Sequence, residues 1–478
     1  MSREPERATS LTVRRYEALG AIMLGGIMGP IAASVVNVIL PTVTDYFKAP
    51  LATAQWVSLV YLITTSGLLL FCGRLGDILG YKRVYLAGLL FFVVASGLCS
   101  LAPSIYWLIA FRAVQGIGAA MMMAVPYAII TAIFPPEERG RALGINAISI
   151  SAGLAIGPVL GGLLTSLWGW KAALLINIPI GLAGFLWAAK VVPELRGQSG
   201  KMDFGGAVSA FVFLFSSLYF LNQVQKVGAG LAPYVGLVAA VISGACFLYV
   251  EARSPQPMVN LVLFRNRTFS LATLSALLNF ASQYILVFLV PFYLQRILHY
   301  SPNKIGMLMT SFPLATMVVA PISGVLSDRL GTRTLAAAGA AVCGVALVTM
   351  ALLRDNATAI AIVWCLALFG LGTGIFQSPN NSAVMGSVAR PYLGIASGVL
   401  ATARNIGMAL GIASAGMILY ALVPPAIIAQ SSLDAAQAAR FLTGLRYAYL
   451  FGAVLTVLAA VLSLVQGEVG EDRAKPGS

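Results

Sequence analysis

The sequence predicts an all-α integral membrane protein, built as two six-helix bundles with two further helices inserted between them. Three observations carry that prediction. Hydrophobic residues make up 59% of the 478 positions against 10% charged, and the mean hydropathy is +0.89, a composition suited to hydrocarbon rather than water. Apolar runs of roughly 17 to 28 residues, each long enough to cross a bilayer, recur along the whole chain. One charged segment between two such runs returns much later in matching register.

The first run follows a polar start and is too long for a cleavable leader. The runs lie at roughly 18–42, 55–72, 84–102, 105–133, 141–165, 171–191, 204–223, 232–250, 269–294, 303–326, 334–353, 357–380, 393–421 and 443–466, which gives about fourteen spans. With the amino terminus inside, Lys and Arg divide about twenty to eight in favour of the cytoplasm, so both termini are expected there. The longest connection, 424–440, is then external. The net charge of +14 does not point to nucleic acid, because the basic residues are scattered over short loops and never form a stripe with interleaved aromatics. Cys72, Cys99, Cys246, Cys343 and Cys365 all sit in apolar runs without CxxC spacing, so neither a disulfide framework nor a metal site is indicated. No metal cluster, Ser/His/Asp set or phosphate loop suggests an enzyme, and no cofactor is expected.

The charged segment at 73–83 reads Gly-Arg-Leu-Gly-Asp-Ile-Leu-Gly-Tyr-Lys-Arg. Its charges and turn residues cannot lie in hydrocarbon. Asp77 falls just before the next run, where a carboxylate can accept from free helix amides. Gly73, Asp77, Gly80, Lys82 and Arg83 are answered at 324–333 by Gly324, Asp328, Arg329, Gly331 and Arg333. The two copies join spans two and three and spans ten and eleven, a shift of eight helices. Two repeats of six separated by an inserted pair give that shift. The expected division is therefore a cytoplasmic segment 1–17, a first bundle 18–191, a linker and inserted hairpin 192–250, a second bundle 251–466 and a cytoplasmic tail 467–478. Gly144, Gly153 and Gly157 recur as Gly398, Gly407 and Gly411 at one constant offset, a second register of the same repeat.

Several motifs add to the repeat: Arg112-Ala-Val-Gln115-Gly116 in span four, Gly153-x3-Gly157-Pro158-x2-Gly161-Gly162 in span five, and Trp170-Lys171 followed by Asn177-Ile-Pro179-Ile-Gly181. Leu263-Phe264-Arg265-Asn266 precedes span nine, and Gln377-Ser-Pro379-Asn380-Asn381 ends span twelve. Over nearly its whole length the chain resembles the major facilitator superfamily, and within it the fourteen-helix drug:proton antiporter branch of multidrug efflux type. The resemblance implies alternating access around a central cavity, export across the inner (cytoplasmic) membrane, and proton entry as the driving force. It also implies that the Asp77 segment is a cytoplasmic gate, closed in the outward-open state, and that Gly153, Gly157, Pro158, Gly161 and Gly162 form the antiporter motif between the bundles. Ile78 replaces the basic residue usual after the acid, while Arg329 keeps it in the second copy.

Small residues four apart in span five allow close backbone approach, and Pro158 bends the helix by removing a donor. Arg112 and Arg404 are the two cations placed inside spans, and a charge there costs about 2.5 to 3.5 kcal/mol on insertion scales, so each needs partners. In the family, the arginine matching Arg112 is linked to proton coupling through an acid in span one. The matching position here is Ala32, and every Asp and Glu falls in a loop or at a helix end. His299, the only histidine, falls in the loop after span nine. Neutral groups available to the cavity are Asn37, Gln115, Asn146, Asn279, Gln283, Tyr284, Gln377, Asn380 and Asn381. The functional expectation is a secondary transporter of small amphipathic substrates, with protons as candidate coupling ions and the lipid bilayer as surroundings. The other readings are an uncoupled exporter of a neutral or anionic metabolite or lipid, and a transporter-like sensor or assembly partner. A cavity with buried arginines and no midplane acid is expected to prefer neutral or anionic amphiphiles over quaternary ammonium compounds.

Overall fold

The computed structural model describes residues 4–194, 204–223, 230–253, 261–388, 393–428, 430 and 433–466. These residues are helical throughout, with no strand among them. Fourteen α-helices have fifteen residues or more. The first six are α1 (Glu4–Phe47), α2 (Trp56–Leu79), α3 (Tyr81–Ser100), α4 (Ile105–Ala124), α5 (Pro136–Trp168) and α6 (Asn177–Val191). Two follow as a hairpin, α7 (Phe204–Gln223) and α8 (Ala232–Arg253). The last six are α9 (Arg267–Arg296), α10 (Ser311–Leu330), α11 (Thr332–Ala351), α12 (Ala359–Gly386), α13 (Leu393–Leu422) and α14 (Ala435–Val465). Twelve stretches among the described residues are long and apolar enough to cross a membrane, and the apolar parts of α5 (Ala152–Trp168) and α7 (Val208–Phe220) are shorter.

Local chemistry sets several ends. Asp434 caps α14 in a reciprocal capping box with Gln437, and Asn266 caps α9 by accepting from the Phe269 amide at 2.9 Å, each satisfying otherwise free amides. Gly80 (φ 97°) and Gly331 (φ 81°) are single-residue breaks between α2 and α3 and between α10 and α11. Both use a left-handed backbone that a Cβ would strain. The repeated charged segment is therefore mostly helix, with the turn confined to one glycine.

The two halves pack alike. α1 lies on α5 as α9 lies on α13, α3 on α4 as α11 on α12, and α2 on α4 as α10 on α12. The glycine register explains the first pair. A Cβ at Gly153 would stand 2.6 Å from the Ile27 carbonyl oxygen of α1, and one at Gly161 would stand 3.2 Å from Val35 Cα. At Gly407 and Gly411 a Cβ would collide with the Leu277 and Ala281 carbonyls of α9. Glycine is what lets each helix seat on its partner.

Contacts between the halves run along α2 with α13, α1 with α9, and α5 with α10 and the short helix Pro302–Met309. The hairpin helices pack on each other, and α7 also touches α2 and α13. Phe211, Phe215 and Tyr219 form a stacked row on α7, and Trp56 of α2 lies against Phe215 and Tyr219.

Candidate functional site

Arg112 is buried in the first bundle, and its shell is neutral. Its Nε donates to the Val57 carbonyl of α2 at 3.0 Å, and its Nη1 donates to Gln115 Oε1 at 2.5 Å. Gln115 passes the network on, donating through Nε2 to Ser96 Oγ of α3 at 2.7 Å. The guanidinium lies 4.1 Å from the Tyr61 ring centroid, within cation–π range. Tyr61 in turn donates its hydroxyl to the Gly29 carbonyl of α1 at 3.2 Å. Among the described residues no carboxylate stands within ion-pair distance of Arg112. Ala32 is fully buried in the apolar core.

The second bundle holds a comparable group. Arg404 of α13 donates through Nη2 to Asn381 Oδ1 at 2.5 Å and lies 5.5 Å from the Phe280 ring. Its Nε has no hydrogen-bond partner among the described residues. Tyr284, one helical turn beyond Phe280, is buried. Asn380 is buried with both amide atoms unpartnered among the described residues, as are Gln283 Oε1 and Asn37 Nδ2. Asn279 is buried beside the Cys343 thiol, and Gln377 is half-buried. Tyr61 and Phe280, whose rings lie against the two guanidiniums, are absent from the candidates drawn from sequence. An aromatic inside an apolar run carries no signal beyond its place on the face of a helix.

The charged segment is placed differently from the sequence expectation. Asp77 sits in the last turn of α2, not at the start of α3, and the N-cap of α3 is Gly80, with no side-chain cap. A carboxylate at a helix C-terminus opposes the dipole. It is offset here by Arg74 Nη1 at 3.1 Å and by the Tyr81 hydroxyl, which donates at 2.7 Å. Both partners belong to the same bundle. Lys82 turns to Glu194 beyond α6, at 3.8 Å, and Arg83, Arg329 and Arg333 are exposed. Gly73 packs against Ala124 of α4 and Gly324 against Ser378 of α12, equivalent neighbours in the two halves. The side chain of Asp328 lies outside the described part of the structure, as do the surroundings of Gly144.

The glycine motif of α5 is split in its contacts. Gly153, Gly157 and Gly161 face α1 of their own bundle, whereas Gly162 meets the Pro302–Met309 helix of the other. A Cβ at Gly162 would strike the Pro302 carbonyl, and one at Gly306 would strike the carbonyl of Pro158. Arg296, which the charge pattern assigns to an outer loop, is instead the last residue of α9 and is buried.

A sequence model of the Major Facilitator Superfamily matches residues 22–412 and again 272–477. The chain belongs to that superfamily. The riboflavin transporter RibZ of Clostridioides difficile is 34% identical over 408 residues, covering 84% of this chain and 87% of that protein. The multidrug resistance protein Stp of Mycobacterium tuberculosis is 31% identical over 401 residues, covering 83% and 74%. Among solved structures, a bacterial homolog of the human lysosomal transporter Spinster in an inward-facing, unoccupied conformation superposes with a TM-score of 0.66 at 17% identity, over 95% of this chain and 97% of that one. The all-helical facilitator fold accounts for the paired packing of α1–α6 and α9–α14.

Proposed function

We propose that this facilitator is a secondary active exporter of small amphipathic molecules, working by alternating access between a first bundle at 18–191 and a second at 251–466. In this reading all fourteen long helices cross the cell membrane, the hairpin within 192–250 is the inserted pair, and both termini are cytoplasmic. The Lys/Arg bias supports the orientation, and relatives named for multidrug resistance support export.

One observation carries the substrate class: the buried Arg112 and the half-buried Arg404 both have neutral partners. A lipophilic cation entering between the bundles would bring charge to a region that already holds two cations and no described carboxylate, at a high desolvation cost. A neutral molecule with donors and acceptors would instead find both amide atoms of Asn380, Gln283 Oε1 and Asn37 Nδ2, which have no partner among the described residues. Filling such groups recovers hydrogen bonds that burial has removed. A relative named as a riboflavin transporter supports a neutral, hydrogen-bonding substrate. An anionic amphiphile would use Arg404, whose Nε is free among the described residues, as its counter-charge.

Ala32 favours a second reading of the energetics. Because that position is packed into the core without a titratable group, export is uncoupled from protons at α1, and a proton gradient acts elsewhere or not at all. Accumulation assays in a pump-deficient host, comparing a lipophilic cation with neutral and anionic amphiphiles, test the substrate class. Collapsing the gradient in the same assay tests the coupling.

A further inference from the structure

Asp45 at the end of α1 and Arg296 at the end of α9 join the two bundles by an ion pair of 3.3 Å. The arginine is the more deeply placed partner, with its side chain 1% exposed against 29% for the aspartate. Around the pair, Gln295 Nε2 donates to the second carboxylate oxygen of Asp45 at 3.4 Å. Arg296 Nη1 donates to the Ile428 carbonyl in the short helix Pro425–Ile428 that follows α13, and its Nε has no partner among the described residues. Further bonds cross between the bundles at this same end. The Ala52 amide donates to the Tyr420 hydroxyl at 3.0 Å, and the Asn303 amide donates to Ser166 Oγ at 3.0 Å.

These contacts lie where α1, α5, α9 and α13 all finish, which the charge bias assigns to the outside. If the bundles rock apart at this end, Asp45 leaves with the first and Arg296 with the second. The loss differs between the partners. Asp45 is partly hydrated and can exchange its partner for water. Arg296 is desolvated, and without Asp45 it keeps one carbonyl, the face of the Phe292 ring at 5.5 Å and an Nε without a partner among the described residues, none of them a counter-ion. A buried charge stripped of its counter-ion is far more costly than a solvated one.

We propose that Asp45 and Arg296 form an asymmetric latch that holds the external end of the two bundles shut, with Asp45 as the side chain that keeps Arg296 buried. The proposal rests on the alternating-access reading above, and Gln295 and Ile428 serve as positioning groups for it. Loss of Asp45 drives the end open, because only opening gives Arg296 access to water. Loss of Arg296 removes the attraction but leaves no buried charge behind, so its effect on closure is smaller.

Cross-linking reads this without any substrate. In full-length protein with all five native cysteines replaced, Ser166→Cys and Asn303→Cys bracket the same end and are joined by a short bifunctional thiol reagent. Asp45→Asn is expected to slow that cross-link by roughly tenfold and Arg296→Gln by roughly two- to threefold. The exchange Asp45→Arg with Arg296→Asp is expected to restore most of the parental rate. A parental rate in Asp45→Asn, or a larger effect from Arg296→Gln, overturns the latch. If Asp45→Asn does not purify as a single species, the exchange variant decides: a rate near the parent supports the latch and a rate tenfold lower refutes it. Because transport is not the readout, failure here leaves the substrate reading standing, and failure of that reading leaves this result interpretable.

Discussion

Arg112 of α4 donates its Nε hydrogen to the Val57 carbonyl of α2 at 3.0 Å. A guanidinium can hold that carbonyl, the Gln115 amide oxygen and the Tyr61 ring face at once because its donors are spread over a rigid plane. A lysine ammonium is a point charge and cannot reach all three. Arg112→Lys is therefore expected to lower stability by about 1.5 to 3 kcal/mol, the range for hydrogen bonds to charged groups. Thermal unfolding of the detergent-purified protein measures it, and an unchanged midpoint would mean that the network contributes nothing.

Asp77 sits in a half-buried helix end with Arg74 and Tyr81 as partners, and the pair keeps access to water, so its removal should cost little stability, about 1 kcal/mol. As a gate it should matter more to transport. Asp77→Asn is expected to leave folded yield intact while cutting the transport rate several-fold and raising cross-bundle separation at the cytoplasmic end. Equal transport by mutant and parent would make the segment an ordinary helix junction.

The two faces of the α5 motif separate stability from conformational equilibrium. Gly157 abuts Ser34 and Ile31 inside one bundle, so Gly157→Val overpacks a fixed interface and should cost about 1 to 3 kcal/mol of stability. Gly162 abuts Pro302 and Gly306 across the boundary, and the bundles can part to relieve the strain. Gly162→Val should therefore unfold near the parental temperature while the cross-link between Ser166→Cys and Asn303→Cys at its external end slows. The opposite pattern would show that the division between the two faces is wrong.

The parts of this fold that depend on local pattern are the parts the sequence makes visible. Apolar length places the helices, and the recurrence of Gly73, Asp77 and Gly80 as Gly324, Asp328 and Gly331 gives the repeat. Fine detail escapes where helix propensity competes with turn residues: 73–79 reads as a loop because of its glycines, yet the helix continues to Gly80, the only residue there needing positive φ. The span expected over 105–133 is interrupted after Ala124, where Pro126 opens a short helix, Pro126–Ile133. Arg112 and Arg404 are legible as cations within helices because charge in an apolar run is conspicuous. The Asp45–Arg296 pair is not, since its members are 251 residues apart and each lies at a helix end, where a charge is ordinary.

Orientation is open to a direct check. Ala436 precedes the long apolar run of α14, and Arg83 ends the first charged segment. Both are exposed. In intact cells, an impermeant maleimide should label Ala436→Cys and should reach Arg83→Cys only after permeabilisation. Labelling of Arg83→Cys alone in intact cells would invert the topology.

Transport by purified protein tests the central claim, that the region between the bundles serves neutral and anionic amphiphiles and not lipophilic cations. Proteoliposomes carrying the parent or Arg404→Gln are loaded in parallel with a quaternary ammonium dye, a neutral polycyclic compound and an anionic bile-salt-like detergent, and flux is followed with and without a proton gradient. The account predicts flux of the neutral and anionic compounds by the parent, little flux of the cation, and a loss of about tenfold or more for the anion alone in Arg404→Gln, the change expected when a partly desolvated counter-charge is removed. Efficient flux of the quaternary ammonium dye, with Arg404→Gln matching the parent for every compound, would contradict it.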